Sequence, residues 1–150
     1  MESDSADDPL PPVECKDILY RTVSCDYWVE KNTGKIKRLA FRRRPSEKKG
    51  LSVDIAARRS LQVCIDNPRT KECHAVASLH TGRVRNMSNT QGVVIDVVSD
   101  TYDHANITGL PPAECTPEED KLREDLAQAL ADKCRPLWYA PDLKRRFKIE

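Results

Sequence analysis

The sequence predicts an α+β fold: a small, mostly antiparallel sheet with a capped C-terminal amphipathic helix packed on it, preceded by a disordered acidic leader. Three observations carry that expectation. Short runs rich in β-branched and aromatic residues are separated by turn residues rather than by long helical patterns. One segment near the C-terminus carries a full set of helix-start signals followed by an apolar stripe. The length, 150 residues, is that of one domain. Leu, Ile, Val and Phe make up 32 of those residues, enough for a modest core.

Residues 1–16 combine Pro9, Pro11 and Pro12 with scattered acids and read as the disordered leader. The folded domain is expected over 17–135 and a tail over 136–150. Residues 17–23 (DILYRTV) predict the first strand, and Asn32-Thr33-Gly34 a turn. Residues 35–42 predict a second strand, although their alternation does not decide which side faces in. Gly50 leads into a third apolar segment, Leu51–Ile55. Residues 56–63 predict a short helix, closed by Asn67-Pro68. From 74 to 79 the residues alternate as in a strand, and a turn is expected after them. Residues 92–98 (GVVIDVV) form a continuous apolar run, which predicts a strand covered on both faces. A polar turn at 99–103 and a matching strand at 104–108 complete a hairpin.

The helix then begins. Thr116 is a good N-cap, Pro117 suits the first helical position, and Glu119 completes a capping box. Leu122, Leu126, Ala129, Leu130 and Lys133 share one face, which is expected to dock on the sheet. Pro136 stops the helix, 137–140 packs back on the body, and 144–150 is a basic tail.

The near-zero net charge of +1 conceals strong segregation. Residues 1–17 carry a net −5, residues 31–60 a net +9 and residues 114–133 a net −4. Such segregation permits a basic surface on a neutral protein. In the 35–49 loop, Lys37, Arg38, Arg42, Arg43, Arg44, Lys48 and Lys49 are candidates for binding nucleic acid or another anion, because guanidinium donors engage two phosphate oxygens at once. An interaction module with a nucleic-acid or acidic protein partner is the first functional expectation. A solvated loop, or the same loop folded onto the protein's own acidic helix, is the alternative.

The start of the chain has no apolar core and matches neither a secretory signal nor a transit peptide. No apolar stretch approaches the roughly 20 residues of a membrane span. The expected location is cytoplasmic, with no membrane contact. Cysteines at 15, 25, 64, 73, 115 and 134 are expected to be free thiols. The nearest approach to a metal pattern is Cys64, Cys73, His74 and His80. Zinc ligands usually come in pairs two to four residues apart, and a gap of nine between the cysteines does not supply that, so no metal is expected. The sequence assigns no other cofactor.

Phosphate-loop, nucleophile-elbow and HExxH motifs are absent. A looser set lies in or beside the predicted strands: Arg21, Ser52, His74, Arg83 and His104. The second functional expectation is an enzyme of toxin or defence type acting on a nucleotide or NAD-like substrate, with Arg21, Ser52 and His104 converging on one pocket.

The run Phe41…Pro45…Leu51-Ser52-Val53, then His74-Ala75-Val76, Gly82-Arg83-Val84, Gly92-Val93-Val94, Asp100 and His104-Ala105-Asn106-Ile107…Gly109 resembles a family of small bacterial proteins. These share an F…P…LSV segment and a HAxI-x-G strand. The resemblance spans about residues 19–109. The family has no assigned activity, so no catalytic role carries over. Its pattern singles out Phe41, Leu51, Ser52, Val53, His104, Ala105 and Gly109. The chain departs from it in the basic 42–49 loop and in its cysteines. Tyr20-Arg21 and the strand-initial Ser52 are also similar to ADP-ribosyltransferase-type toxins, without a candidate for the catalytic glutamate such folds often use.

Overall fold

The computed structural model describes residues 9–87 and 93–149. Its six strands are β1 (Ile18–Val23), β2 (Leu51–Ile55), β3 (Ala75–His80), β4 (Asp96–Thr101), β5 (His104–Thr108) and β6 (Arg135–Tyr139). They form one sheet in the order β4-β5-β2-β1-β3-β6. Every pairing is antiparallel. Among the described residues four α-helices accompany the sheet: α1 (Leu61–Asp66), α2 (Thr81–Asn86), α3 (Pro117–Lys133) and α4 (Pro141–Phe147). The α+β architecture read from the sequence is therefore the one observed. None of these helices is long and apolar enough to cross a membrane.

Alternation divides the sheet into two faces. Leu19 and Val23 of β1, Leu51, Val53 and Ile55 of β2, and Ala105 and Ile107 of β5 are buried together in one core. Tyr20, Thr22, Ser52, Asp54, His104 and Asn106 point to the other side, as the β1–β2 and β2–β5 registers require. The core is closed by α3, which contributes Leu126, Ala127 and Leu130 to the same cluster as Phe41. Burying a side chain such as Leu126 or Phe41 stabilises by about 1.5–3 kcal/mol. The start of α3 is as its sequence predicts: Thr116 accepts from the Glu119 N–H at 3.2 Å, and Glu119 accepts from the Thr116 N–H at 3.0 Å.

Several expectations are corrected. Residues 35–42 do not form a strand. Ile36 makes an isolated bridge to Val29, and a 3-10 turn, Arg38–Phe41, follows. Ala40 and Phe41 are adjacent and both buried, which a strand covered on one face does not allow and a helical turn does.

The apolar run at 92–98 is not a strand covered on both faces. Gly92 lies outside the described residues, β4 starts only at Asp96, and β4 is an edge strand. Ile95 and Val97 are buried, whereas Val94 is 79% and Val98 48% exposed. The run alternates in burial although it does not alternate in polarity. Residues 81–86, expected as a turn, form α2 and bury Val84. The helix expected at 56–63 forms later, over α1, because Ser60 caps it through the Val63 N–H at 3.2 Å.

The C-terminal stretch is built into the sheet. β6 pairs with β3, and α4 buries Leu143 and Phe147. Tyr139 Oη donates to the Gly34 carbonyl at 2.6 Å. At the other end, residues 1–8 of the expected leader lie outside the described residues. Residues 9–16 pack on the body: Val13 is buried, Arg85 donates to its carbonyl at 2.7 Å, and Arg58 donates to the carbonyls of Pro11 and Pro12.

Gly50 sets the approach of β2 to β5. Its φ is +149°, and a Cβ there would lie 2.5 Å from the Ile107 carbonyl oxygen. Gly50→Ala is expected to lower stability by about 1–3 kcal/mol, as strain at a special backbone position does. The check is the urea midpoint. An unchanged midpoint contradicts the steric argument.

Candidate functional site

Ser52 and His104 meet because of strand register. In the β2–β5 pair Ser52 lies opposite Asn106, and Asp54 lies opposite His104. Ser52 and His104 are thus diagonal neighbours on one face, within reach of a long side chain. The Ser52 hydroxyl is hydrogen-bonded to His104 Nε2. The other ring nitrogen, His104 Nδ1, lies 3.2 Å from Asp100 Oδ2. Asp100 sits where the β4–β5 register shifts, between Ser99 and Thr101. An extra residue at such a shift re-aims a side chain, and here it brings the carboxylate toward the ring. Lys49 Nζ donates to Asp100 Oδ1 at 3.0 Å.

The charge states follow from these surroundings. Burial lowers the pKa of His104, the positive charge of Arg69 lowers it further, and Asp54 and Asp100 only partly oppose this. The imidazole is therefore neutral at pH 7. Its Nδ1 faces a carboxylate, which can only accept, so Nδ1 carries the proton and Nε2 is left to accept from the Ser52 O–H. Asp100 is held below the usual carboxylate range, chiefly by the Lys49 hydrogen bond, and stays ionised. The His104 side chain is 12% exposed and that of Asp100 28%.

Ser52 also lines a small cavity of about 30 Å³ with Tyr20, Arg21, Thr22, Arg44, Val53, Asp54, Arg69 and Thr70. Arg44 is fixed by Glu47 Oε1 at 3.3 Å and Ser24 Oγ at 3.4 Å, and its guanidinium lies 5.9 Å from the centre of the Trp28 ring. Arg69 donates from Nε to Asp54 Oδ1 at 2.6 Å and from Nη2 to Asp103 Oδ1 at 2.7 Å.

Of the three residues expected to converge, Ser52 and His104 are hydrogen-bonded to each other, and Arg21 lines the small cavity together with Ser52. Arg21 is buried, and its hydrogen bond to Ser52 goes to the backbone carbonyl rather than to the hydroxyl. Arg21 Nε donates to the Ala40 carbonyl, and Nη1 donates to Glu47 Oε2 and to the Ser52 carbonyl, each at 2.8 Å. Glu47 in turn accepts from the Ser52 N–H at 2.7 Å and from the Arg44 N–H at 2.9 Å. Burial alone would push the Glu47 pKa up. The Arg21 charge and these hydrogen bonds more than offset it, and the net shift is downward. His74 lies just before β3 with Nε2 3.7 Å from Glu72, and Arg83 is exposed on α2. Neither joins the Ser52–His104 site.

Most of the basic loop is engaged within the chain. Arg38 and Arg42 both donate to Glu124 of α3, at 2.9 and 2.5 Å. Arg43 donates to the carbonyls of Glu47, Leu110 and Lys48. Arg44 is held by Glu47, and Lys49 by Asp100. Lys37 and Lys48 are exposed and form no ion pair among the described residues.

Sequence reasoning did not place Asp100, Glu47, Arg69 or Glu124 in these roles. Asp100 is four residues before His104, which in a tight hairpin brings the two together, but the register shift that aims it has no sequence signal. Among the described residues no three His, Cys, Asp or Glu side chains come together as a metal site. Burial pushes the thiols of Cys64, Cys73 and Cys134 up to about 11. Compared with family models, curated proteins and solved structures, the chain matches none.

Proposed function

We propose that this protein is an enzyme in which Ser52 is the nucleophile, His104 the general base and then the general acid, and Asp100 the carboxylate that orients the imidazole. One observation carries the reading: the hydrogen-bonded chain from Ser52 Oγ through both nitrogens of a neutral His104 to an ionised Asp100. This is the order of roles that activates a serine hydroxyl, and such constellations are recognised by geometry rather than by fold. The resemblance noted above also singles out Ser52 and His104.

The chemistry balances without another group. The Ser52 proton passes to His104 Nε2 as Oγ bonds to an electrophilic centre of the substrate. The bond to the leaving group breaks, and the leaving group takes that proton. Water then gives a proton to Nε2, its oxygen displaces Ser52, and the serine recovers its proton. General acid–base help of this kind contributes about 10²–10⁴-fold. The interaction-module reading has less to rest on, because Lys37 and Lys48 are the loop candidates left without an engaged partner.

Labelling with a fluorophosphonate, followed by peptide mass analysis, tests the proposal. The adduct is expected on Ser52 and is expected to be absent in Ser52→Ala. Hydrolysis of an activated acyl ester is expected to follow the same pattern. Labelling of other serines only, or hydrolysis by Ser52→Ala at the wild-type rate, overturns it.

A further inference from the structure

The cavity beside Ser52 carries a statement about substrate. We propose that Arg44 and Arg69 bind a phosphoryl group of the substrate next to the Ser52 hydroxyl. This deepens the serine-nucleophile reading and rests on it for catalysis, though not for binding.

Arg44 and Arg69 line the same cavity as Ser52, with Arg21, Thr22 and Thr70 beside them and with Asp54, whose carboxylate is engaged by Arg69 and Arg59. Each arginine is anchored on part of its donor set only. Arg44 uses Nε and Nη1, and Arg69 uses Nε and Nη2. Arg44 Nη2 and Arg69 Nη1 have no protein acceptor among the described residues. Two guanidinium groups that each keep an unengaged nitrogen suit the oxygens of a phosphoryl group better than a single point charge does.

The local charge agrees. Around Ser52 and neutral His104 stand Arg21, Arg44, Arg59, Arg69 and Lys49, against Glu47, Asp54, Asp100 and Asp103. Five cations face four carboxylates, and each of those carboxylates is already paired with a cation. An incoming anion is the missing countercharge. The cavity, about 30 Å³, is close to the volume one water occupies in the liquid. It has room for one oxygen-sized group, so a phosphoryl group would place one oxygen in it and the rest of the substrate lies outside.

The test uses the intact chain with inorganic phosphate as the probe. The three histidines, His74, His80 and His104, are followed by NMR while phosphate is added at constant ionic strength. Sodium acetate serves as a parallel arm. Phosphate is expected to shift His104 saturably and to raise its pKa, because a nearby anion favours the imidazolium. Acetate is expected to do so much more weakly. Arg44→Gln and Arg69→Lys are each expected to weaken phosphate binding by about tenfold or more. The lysine keeps the charge opposite Asp54 and Asp103 while removing the fork, and thermal melts confirm that both variants are folded.

No saturable response of His104 in the millimolar range, an equal response to acetate, or unchanged binding in both folded variants overturns the proposal. Phosphate binding without labelling of Ser52 leaves the anion site standing and removes the nucleophile. Labelling of Ser52 without phosphate binding does the reverse.

Discussion

Arg21→Ala is expected to destabilise the protein by about 3–5 kcal/mol, the usual consequence of removing one partner of a buried ion pair. Arg21 and Glu47 are both buried, and their side chains lie 2.8 Å apart. Without the guanidinium, Glu47 remains in a low-dielectric site with its charge uncompensated, and the carbonyls of Ala40 and Ser52 each lose a donor. Against a total stability of about 5–15 kcal/mol the loss is large. The urea midpoint and slope measure it.

Arg21→Met with Glu47→Leu is expected to recover only part of the loss. The pair is then gone, but the backbone N–H groups of Arg44 and Ser52 have lost the carboxylate that accepted from them. The pH dependence has a definite sign. The folded-state pKa of Glu47 lies below its unfolded value. Its contribution is therefore fully present above the unfolded value and is lost as pH falls through the folded one. Arg21→Ala is expected to abolish that part of the acid sensitivity. A variant within about 1 kcal/mol of wild type contradicts the whole account.

Asp100→Asn is expected to slow reaction at Ser52 by about 10²–10⁴-fold while leaving the fold intact. An asparagine can turn its NH₂ toward Nδ1, which then becomes the accepting nitrogen. The proton moves to Nε2, and the ring loses the lone pair that takes the serine proton. His104→Ala is expected to fall in the same range, and the double variant little further, because residues acting as one relay are not additive.

The wild-type rate is expected to rise with pH as His104 loses its proton. Its midpoint lies below the ordinary imidazole value, since burial and Arg69 both disfavour the charged form. The rate levels off above that midpoint. Folding follows the same direction: as pH falls, the unfolded chain takes up the His104 proton first, so this group's contribution is full above the unfolded value of about 6.5 and declines below it. The measurement is the rate of fluorophosphonate labelling across pH. Equal rates for wild type and Asp100→Asn remove the relay.

Much of the local structure was legible because its causes are local. Thr116, Pro117 and Glu119 start α3 through contacts within four residues, and Leu126 and Leu130 fall on its buried face. Strands β1, β2, β3 and β5 were readable from their composition and short-range patterning. The β4 run misled because five apolar residues in seven look the same in a covered strand and in an edge strand, and only the neighbours in the sheet differ. Residues 35–42 misled for a related reason: Ala40 and Phe41 bury side by side only because α3 closes over the turn that holds them.

The site divides along the same line. By itself the sequence determined the α+β class, the capped helix, the charge segregation and the interest of Ser52 and His104. Only the tertiary structure decided what those residues face. The β2–β5 register put Ser52 beside His104, and a register shift in β4 added Asp100. Arg21, read as a member of the pocket, lines the Ser52 cavity but is also half of a buried ion pair, because its place in β1 turns it inward toward Glu47. The basic loop met the acidic helix at Glu124, some 80 residues away in sequence. Hydrogen bonds and ion pairs depend on distances of a few ångströms between segments far apart in the chain. A sequence states which groups are present, and the packing of the sheet selects which of them meet.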